Sequence, residues 1–262
     1  MPRYALITGA SSGIGLALAE ALARRGRHLL LVARQRDALE SIACELTQRF
    51  GVEVLFRYCD LTEPLQVSGL LMDLERGEIE IDLLVNNAGI GTSGCFVDQD
   101  WGREQELIEV NILVLARLCH GIGGLMARQG GGQILNVASV AGFQPGAWMS
   151  SYYASKAYVL NFSEGLREEL RPRGVQVSVL CPGPTRTAFF RGAHLRVEGL
   201  DGSKLMMSPE EVALVAVRAL EKNRAIIIPG WRNRLAALFP RLAPRWAVRR
   251  LLGRIIRRYA QP

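Results

Sequence analysis

The chain has 262 residues, 49% hydrophobic and 22% charged, enough to enclose one sizeable core in a single α/β domain. Its formal net charge is +7, yet residues 231–262 hold nine arginines and no acid, so the remainder is slightly acidic on balance. That distribution leaves no basic stripe with interleaved aromatics for nucleic acid, no apolar run approaches the roughly 18 residues of a spanning helix, and the scattered histidines suggest no metal site.

In chain order, a short apolar strand over 3–8 runs into the turn Gly9-Ala10-Ser11-Ser12-Gly13-Ile14-Gly15, which opens a helix over 13–25. A pyrophosphate needs this context: glycines let the backbone come close, and the helix N-terminus supplies N–H groups and positive dipole. Strands follow near 28–33, 53–59, 82–86, 133–138, 175–181 and 225–228, alternating with helices near 36–50, 63–76, 103–128, 150–171 and 209–222. Continuous apolar runs such as His28-Leu-Leu-Leu-Val-Ala33 indicate strands covered on both faces. Ser208-Pro209-Glu210-Glu211 has the pattern of a capping box. The alternation predicts a Rossmann-type, doubly wound sheet of about seven parallel strands with helices on both faces.

Chemistry-bearing residues fall at the ends of these strands and on the fourth and fifth helices. Asn86-Asn87-Ala88-Gly89 follows the fourth strand, Asn111 lies in the long fourth helix, and Pro182-Gly183 ends the sixth strand. Ser139 precedes the run Tyr152-Tyr153-Ala154-Ser155-Lys156, where Tyr152 and Lys156 share one helix face. An ammonium beside a phenol favours phenolate, so such a tyrosine can exchange a proton with a substrate oxygen near neutral pH. Tyr153 lies about 100° around the helix and lacks the lysine at i+4.

These separated runs, in this order, resemble the short-chain dehydrogenase/reductase family over residues 1 to about 230. The resemblance implies an oxidoreductase that interconverts a carbonyl and a secondary alcohol, with Tyr152 as acid/base. Lys156 then lowers the Tyr152 pKa and reaches the nicotinamide ribose, Ser139 holds the reacting oxygen, and Asn111 holds a water that relays protons to Lys156. It also implies that Gly9, Ser11, Ser12, Gly13, Ile14 and Gly15 cradle the pyrophosphate, that Asp60 and Leu61 meet the adenine, and that Asn87, Ala88 and Gly89 line the adenosine side. Pro182, Gly183 and Thr185 or Thr187 then meet the carboxamide and pyrophosphate. A homo-oligomer is expected.

Cofactor choice is read at the end of the second strand. An NAD site places a carboxylate there, whereas a 2′-phosphate needs a cation. Here Ala33-Arg34 stands at that point, with Arg36 nearby and no acid until Asp37, which predicts NADP(H). Five cysteines, odd in number and without a C-x-x-C pair, fit reduced thiols in a cytoplasmic setting, with Cys44, Cys59, Cys119 and Cys181 in core patterns. No signal peptide is expected, because the first strand begins at Arg3.

On the substrate side, the stretch from Thr187 to Ser208 has the length of a lid or binding loop. Phe143, Trp148, Phe189, Phe190, Met206 and Met207 are expected to make the pocket apolar, with Ser139, Tyr152, Phe143 and Phe189 against a lipophilic substrate. A 3-oxoacyl-thioester reductase and a catalytically idle nucleotide-binding scaffold stay open beside the carbonyl reductase. Residues 231–262 form an arginine-rich extension that Pro240 and Pro244 are expected to split into two helices. The second carries Val248, Leu251, Leu252, Ile255, Ile256 and Tyr259 on one stripe. Packing on its own chain or a second subunit, lying on an anionic membrane surface, and capturing an acidic protein all remain open for it.

Overall fold

The computed structural model describes residues 2–195 and 206–259. Seven strands form one sheet: β1 (Arg3–Thr8), β2 (His28–Ala33), β3 (Val54–Tyr58), β4 (Glu80–Asn86), β5 (Gly132–Val137), β6 (Val175–Leu180) and β7 (Ile226–Ile227). They lie in the order β3-β2-β1-β4-β5-β6-β7, and every pairing is parallel. The order reverses between β1 and β4, which leaves a crevice beyond the strands' carboxyl ends. Successive side chains point to opposite faces, so Leu6, Leu30, Val32, Ile134 and Val177 enter one core while Ile7, Leu29, Leu31, Val85 and Leu135 enter the other.

Helices α1 (Gly13–Ala23), α2 (Arg36–Phe50) and α8 (Pro209–Glu221) close the second core, through Leu18, Leu39 and Val217 among others. The expected capping box is present at α8: Ser208 Oγ accepts from Glu211 N at 3.1 Å, and Ser208 N donates to Glu211 Oε2 at 2.8 Å. The first core is closed by α3 (Pro64–Glu75), by a long rod before β5, and by α6 (Ser150–Leu170).

That rod differs from the single helix expected over 103–128. It comprises α4 (Trp101–Ile108), a π-helical turn over Glu109–Val114, and α5 (Leu115–Arg128). By length and mean hydropathy (1.6), Trp101–Arg128 is long and apolar enough to cross a membrane, contrary to expectation. Its apolar face, however, is spent on the core: Val110, Val114, Leu118, Ile122 and Met126 pack against the sheet. Cys44 also departs from expectation, because it lies on the exposed side of α2 while Cys59, Cys119 and Cys181 are buried.

The extension forms α9 (Trp231–Leu242) and α10 (Arg245–Arg257). Pro240 does not end α9, as expected of it; the helix breaks only at Ala243-Pro244. In the last turn the donor missing at Pro240 deprives only the Ala236 carbonyl, on an exposed residue. Both helices pack on the body: Ala237, Val248 and Ile256 are buried, Arg241 lies over the Phe143 ring, and Arg257 over that of Trp148.

Candidate active site

A cleft of about 420 Å³ opens at the switch point, lined by residues that follow β1, β2, β3, β4, β5 and β6. Its floor is a latch between two strand ends. Thr8 Oγ1 accepts from the N–H groups of Asn87 and Ala88 at 3.0 and 3.1 Å, and Asn87 Nδ2 donates to the carbonyls of Thr8 and Gly9 at 3.0 and 3.2 Å. The glycine-rich turn is therefore held open by side chains of its neighbour. Gly9 (φ +64°) and Gly13 (φ +56°) take left-handed backbone there, which is cheap only for glycine.

Gly9, Ser11, Ser12, Gly13 and Ile14 line the cleft. Gly15 does not: a Cβ on it would stand 2.2 Å from Gly9 O and 2.5 Å from Asn87 Nδ2. It lets α1 approach the turn closely. The turn is thus a cradle that side chains would fill and that a pyrophosphate fits.

At the adenosine end, Arg34 is exposed and lies at the cleft mouth, its Nη1 4.0 Å from Asp60 Oδ2. Asp60 is oriented by accepting from Thr62 N and Thr62 Oγ1 at 3.0 and 2.8 Å. Leu61, Asn87, Ala88 and Gly89 line the same wall, and Ser11 Oγ donates to Gln35 Oε1 at 2.9 Å, closing the rim. Arg36 lies outside the lining. Pro182, Gly183, Thr185 and Thr187 complete the far side, with Thr187 Cγ2 3.1 Å from where a Gly13 Cβ would be.

The chemistry-bearing groups meet at the other end. Tyr152 and Lys156 lie on the face of α6 that looks into the cleft, and Lys156 Nζ stands 5.8 Å from the Tyr152 ring centroid while donating to Val137 O at 2.9 Å. Ser139 caps the 3-10 turn Val140–Phe143; its Oγ accepts from Ala141 N at 3.1 Å and donates weakly to Pro182 O at 3.4 Å. Close contact between this turn and α6 depends on Gly142, whose Cβ would lie 2.6 Å from Lys156 O.

Desolvation raises the Tyr152 phenol above its ordinary value, and a hydrogen bond with Ser139 pulls the other way. Burial is the largest influence, so the net direction is upward rather than the lowering expected beside Lys156. Burial also pushes the Lys156 ammonium down to about 8, with Cys181 opposing, and pushes Tyr153 up to about 12. At neutral pH the phenol therefore keeps its proton and the ammonium is still mostly charged.

Asn111 sits in the π turn and does not line the cleft. Its side chain accepts from Ile90 N at 2.9 Å and donates to Ile90 O and Ser155 Oγ at 2.9 and 3.0 Å. Its amide is thus engaged in tying β4's exit to α6. Any Cβ at Gly89 would stand 3.3 Å from Asn111 Oδ1 and 3.4 Å from Lys156 Nζ, so a gap is kept between the two.

On the substrate side, only Phe189 and Phe190 of the expected apolar set line the cleft. They belong to α7 (Phe189–Gly192), where the Phe189 ring lies 5.1 Å from that of Tyr152. Arg103 braces α7, donating to Gly192 O at 3.0 Å and bonding His194 Nε2 at 2.9 Å. Phe143 packs on the core instead, Trp148 lies under Arg257, Met206 is buried, and Met207 meets Asn233. Residues 196–205 of the expected lid lie outside the described residues. Met149, Ile90, Leu195 and Tyr153 line the cleft without a sequence signal to mark them; Tyr153 is pressed against Gly146, whose Cβ would stand 2.4 Å from the ring.

The family model for short chain dehydrogenases matches residues 3–196. A ketoacyl reductase, HetN, of a Nostoc species is 31% identical over 224 residues, covering 85% of this chain and 77% of that protein. A short-chain dehydrogenase of Sphingobium yanoikuyae in complex with NADPH superposes with a TM-score of 0.83 at 37% identity, covering 92% of this chain and 94% of its own. A bulky-bulky ketone specific alcohol dehydrogenase of Comamonas testosteroni superposes with a TM-score of 0.79 at 32% identity, over 92% and 93% of the two chains.

Proposed function

The chain belongs to the short-chain dehydrogenase family, and from that premise we propose that it is an NADP(H)-dependent oxidoreductase that interconverts a lipophilic ketone and its secondary alcohol. One observation carries the reading. The protonated Tyr152 phenol, the Ser139 hydroxyl and the Lys156 ammonium converge at one end of a cleft whose other end has a glycine cradle and an exposed arginine. The NADPH complex of the Sphingobium relative supports the cofactor, and the exposed Arg34 at the cleft mouth is the cation proposed to meet its 2′-phosphate.

When bound, the dinucleotide supplies or takes up the hydride. The chain's own groups manage the oxygen. Ser139 gives up its long bond to Pro182 O and donates to the carbonyl oxygen, fixing it beside Tyr152. Tyr152 then passes its phenolic proton to that oxygen. The phenolate left behind is stabilised by the nearby Lys156 ammonium, which Val137 O holds in place. In the alcohol-to-ketone direction the same proton returns to Tyr152. Phe189, Phe190, Met149 and Ile90 give the substrate end an apolar wall, which supports a lipophilic substrate, as does the relative that takes bulky ketones.

An NADPH-consumption screen over bulky ketones, small polar ketones and 3-oxoacyl thioesters tests this. Bulky ketones should turn over, and Tyr152→Phe should lose at least about 100-fold in kcat/KM while still binding NADPH. Preference for small polar ketones would refute the lipophilic substrate. A wild type that binds NADPH but is as inert as the variant would leave the scaffold reading. A second reading, reduction of a 3-oxoacyl thioester, is favoured by the ketoacyl reductase relative, and the thioester arm decides it.

A further inference from the structure

The helix α9 carries its amphipathic pattern inside out. Trp231, Leu235, Leu238, Phe239 and Leu242 recur at i, i+4, i+7, i+8 and i+11, within about 100° of helix arc. All five are exposed, from 48% for Leu238 to 78% for Leu242. The side that meets the body carries Ala237, 4% exposed, and Asn233, whose amide abuts Gly183 and donates to Pro229 O at 2.7 Å. A helix docked only to stabilise its own fold places large apolar residues inward. Here they face out, with Arg232 on one flank and Arg234 and Arg241 on the other. Trp246, also exposed, opens α10, where Leu251 and Ile255 remain over 40% exposed at the edge of the Val248/Ile256 seam.

We propose that α9 and α10 dock on an anionic lipid bilayer, with the apolar stripe of α9 inserted at the headgroup boundary and the arginines among the phosphates. Charge decides the occupant. All nine arginines of the extension are exposed and no acid accompanies them. Among the described residues, Arg245, Arg249, Arg254 and Arg258 form no ion pair. A second copy set stripe to stripe would bring two such clusters together, whereas a phosphate surface neutralises them. Tryptophans near the ends of the stripe suit the interface, where one side of the ring is wet. The extension is also fixed beside the cleft: Asn233 abuts the cleft-lining Gly183, Arg241 lies over Phe143 at the end of the turn that Ser139 caps, and Arg257 lies over Trp148. Docking therefore carries the Ser139 wall of the cleft toward the phase in which a lipophilic substrate dissolves.

The test is co-sedimentation of the full chain with phosphatidylcholine vesicles, with and without about one third phosphatidylglycerol, at low salt. Binding to the anionic vesicles should exceed binding to neutral ones by roughly tenfold or more. Both Leu238→Glu/Phe239→Glu and Arg249→Ser/Arg254→Ser should lose most of it while retaining NADPH binding and the wild-type Tm. Absence of sedimentation, or sedimentation unchanged in both variants, overturns the proposal. So does a wild-type dimer, seen by light scattering, that ignores vesicles and that Leu238→Glu/Phe239→Glu dissociates, since the stripe would then cover a second copy.

Discussion

At Lys156 the active site is built against its own stability. The ammonium is buried at 5% exposure with one carbonyl for a partner, and burial lowers its pKa from 10.5 to about 8. Between those values the unfolded chain binds a proton that the folded chain does not, so folding stability rises with pH across this window. The cost of the buried charge is fully present below pH 8 and is on the order of 3 kcal/mol. Burial raises the Cys59, Cys119 and Cys181 thiols, which oppose this rise from about pH 9 upward, so the Lys156 share is read as a difference: in urea unfolding of the cofactor-free protein, the wild type should gain stability relative to Lys156→Met between pH 8 and pH 10. Parallel pH profiles for wild type and variant would refute the assignment to Lys156. That the lysine sits beside a tyrosine was legible from their spacing, because helix periodicity is local. That burial outweighs the ammonium in setting the phenol was not, since desolvation depends on the fold around the ring.

Among elements, the pairing of α6 with the turn Val140–Phe143 decides whether a hydroxyl, a phenol and an ammonium form one site. Gly142 sets that distance. Gly142→Ala places a carbon 2.6 Å from Lys156 O, closer than any stable contact, so the turn must withdraw and take Ser139 with it. A displacement of about 1 Å costs roughly 100-fold in rate, so kcat/KM should fall by about that factor while NADPH affinity changes little. Ketone kinetics and NADPH fluorescence titration separate the two. The strands were readable because runs such as 28–33 are apolar on both faces. The π turn at Glu109–Val114 was not, because one extra residue per turn leaves the apolar pattern nearly intact. Likewise, nothing local distinguishes Phe189, which reaches the cleft, from Phe143, which enters the core.

Across the whole molecule, the extension and the body are joined by a few buried residues under an exposed, charged surface. Ile256 is one of these, and Ile256→Ala should cost about 2 kcal/mol, at the low end for a buried isoleucine because the seam borders solvent. Limited proteolysis should then cut within 243–258 faster than in wild type, with β1 to β6 still protected; equal rates would show that α10 is held elsewhere. The charge imbalance of the extension was plain in the sequence, but its inverted α9 was not, because the partner of Asn233 lies fifty residues earlier at Gly183. The latch between Thr8 and Asn87 has a consequence of another kind. It spans the seam where the two halves of the sheet meet, and the cradle sits on it. A ligand held there grips both halves at once and leaves the unfolded chain alone, so its free concentration becomes a determinant of how long the fold lasts. At a hundred times its dissociation constant it adds about 2.7 kcal/mol. The cell's supply of reduced dinucleotide would then set the lifetime of this protein as well as its rate.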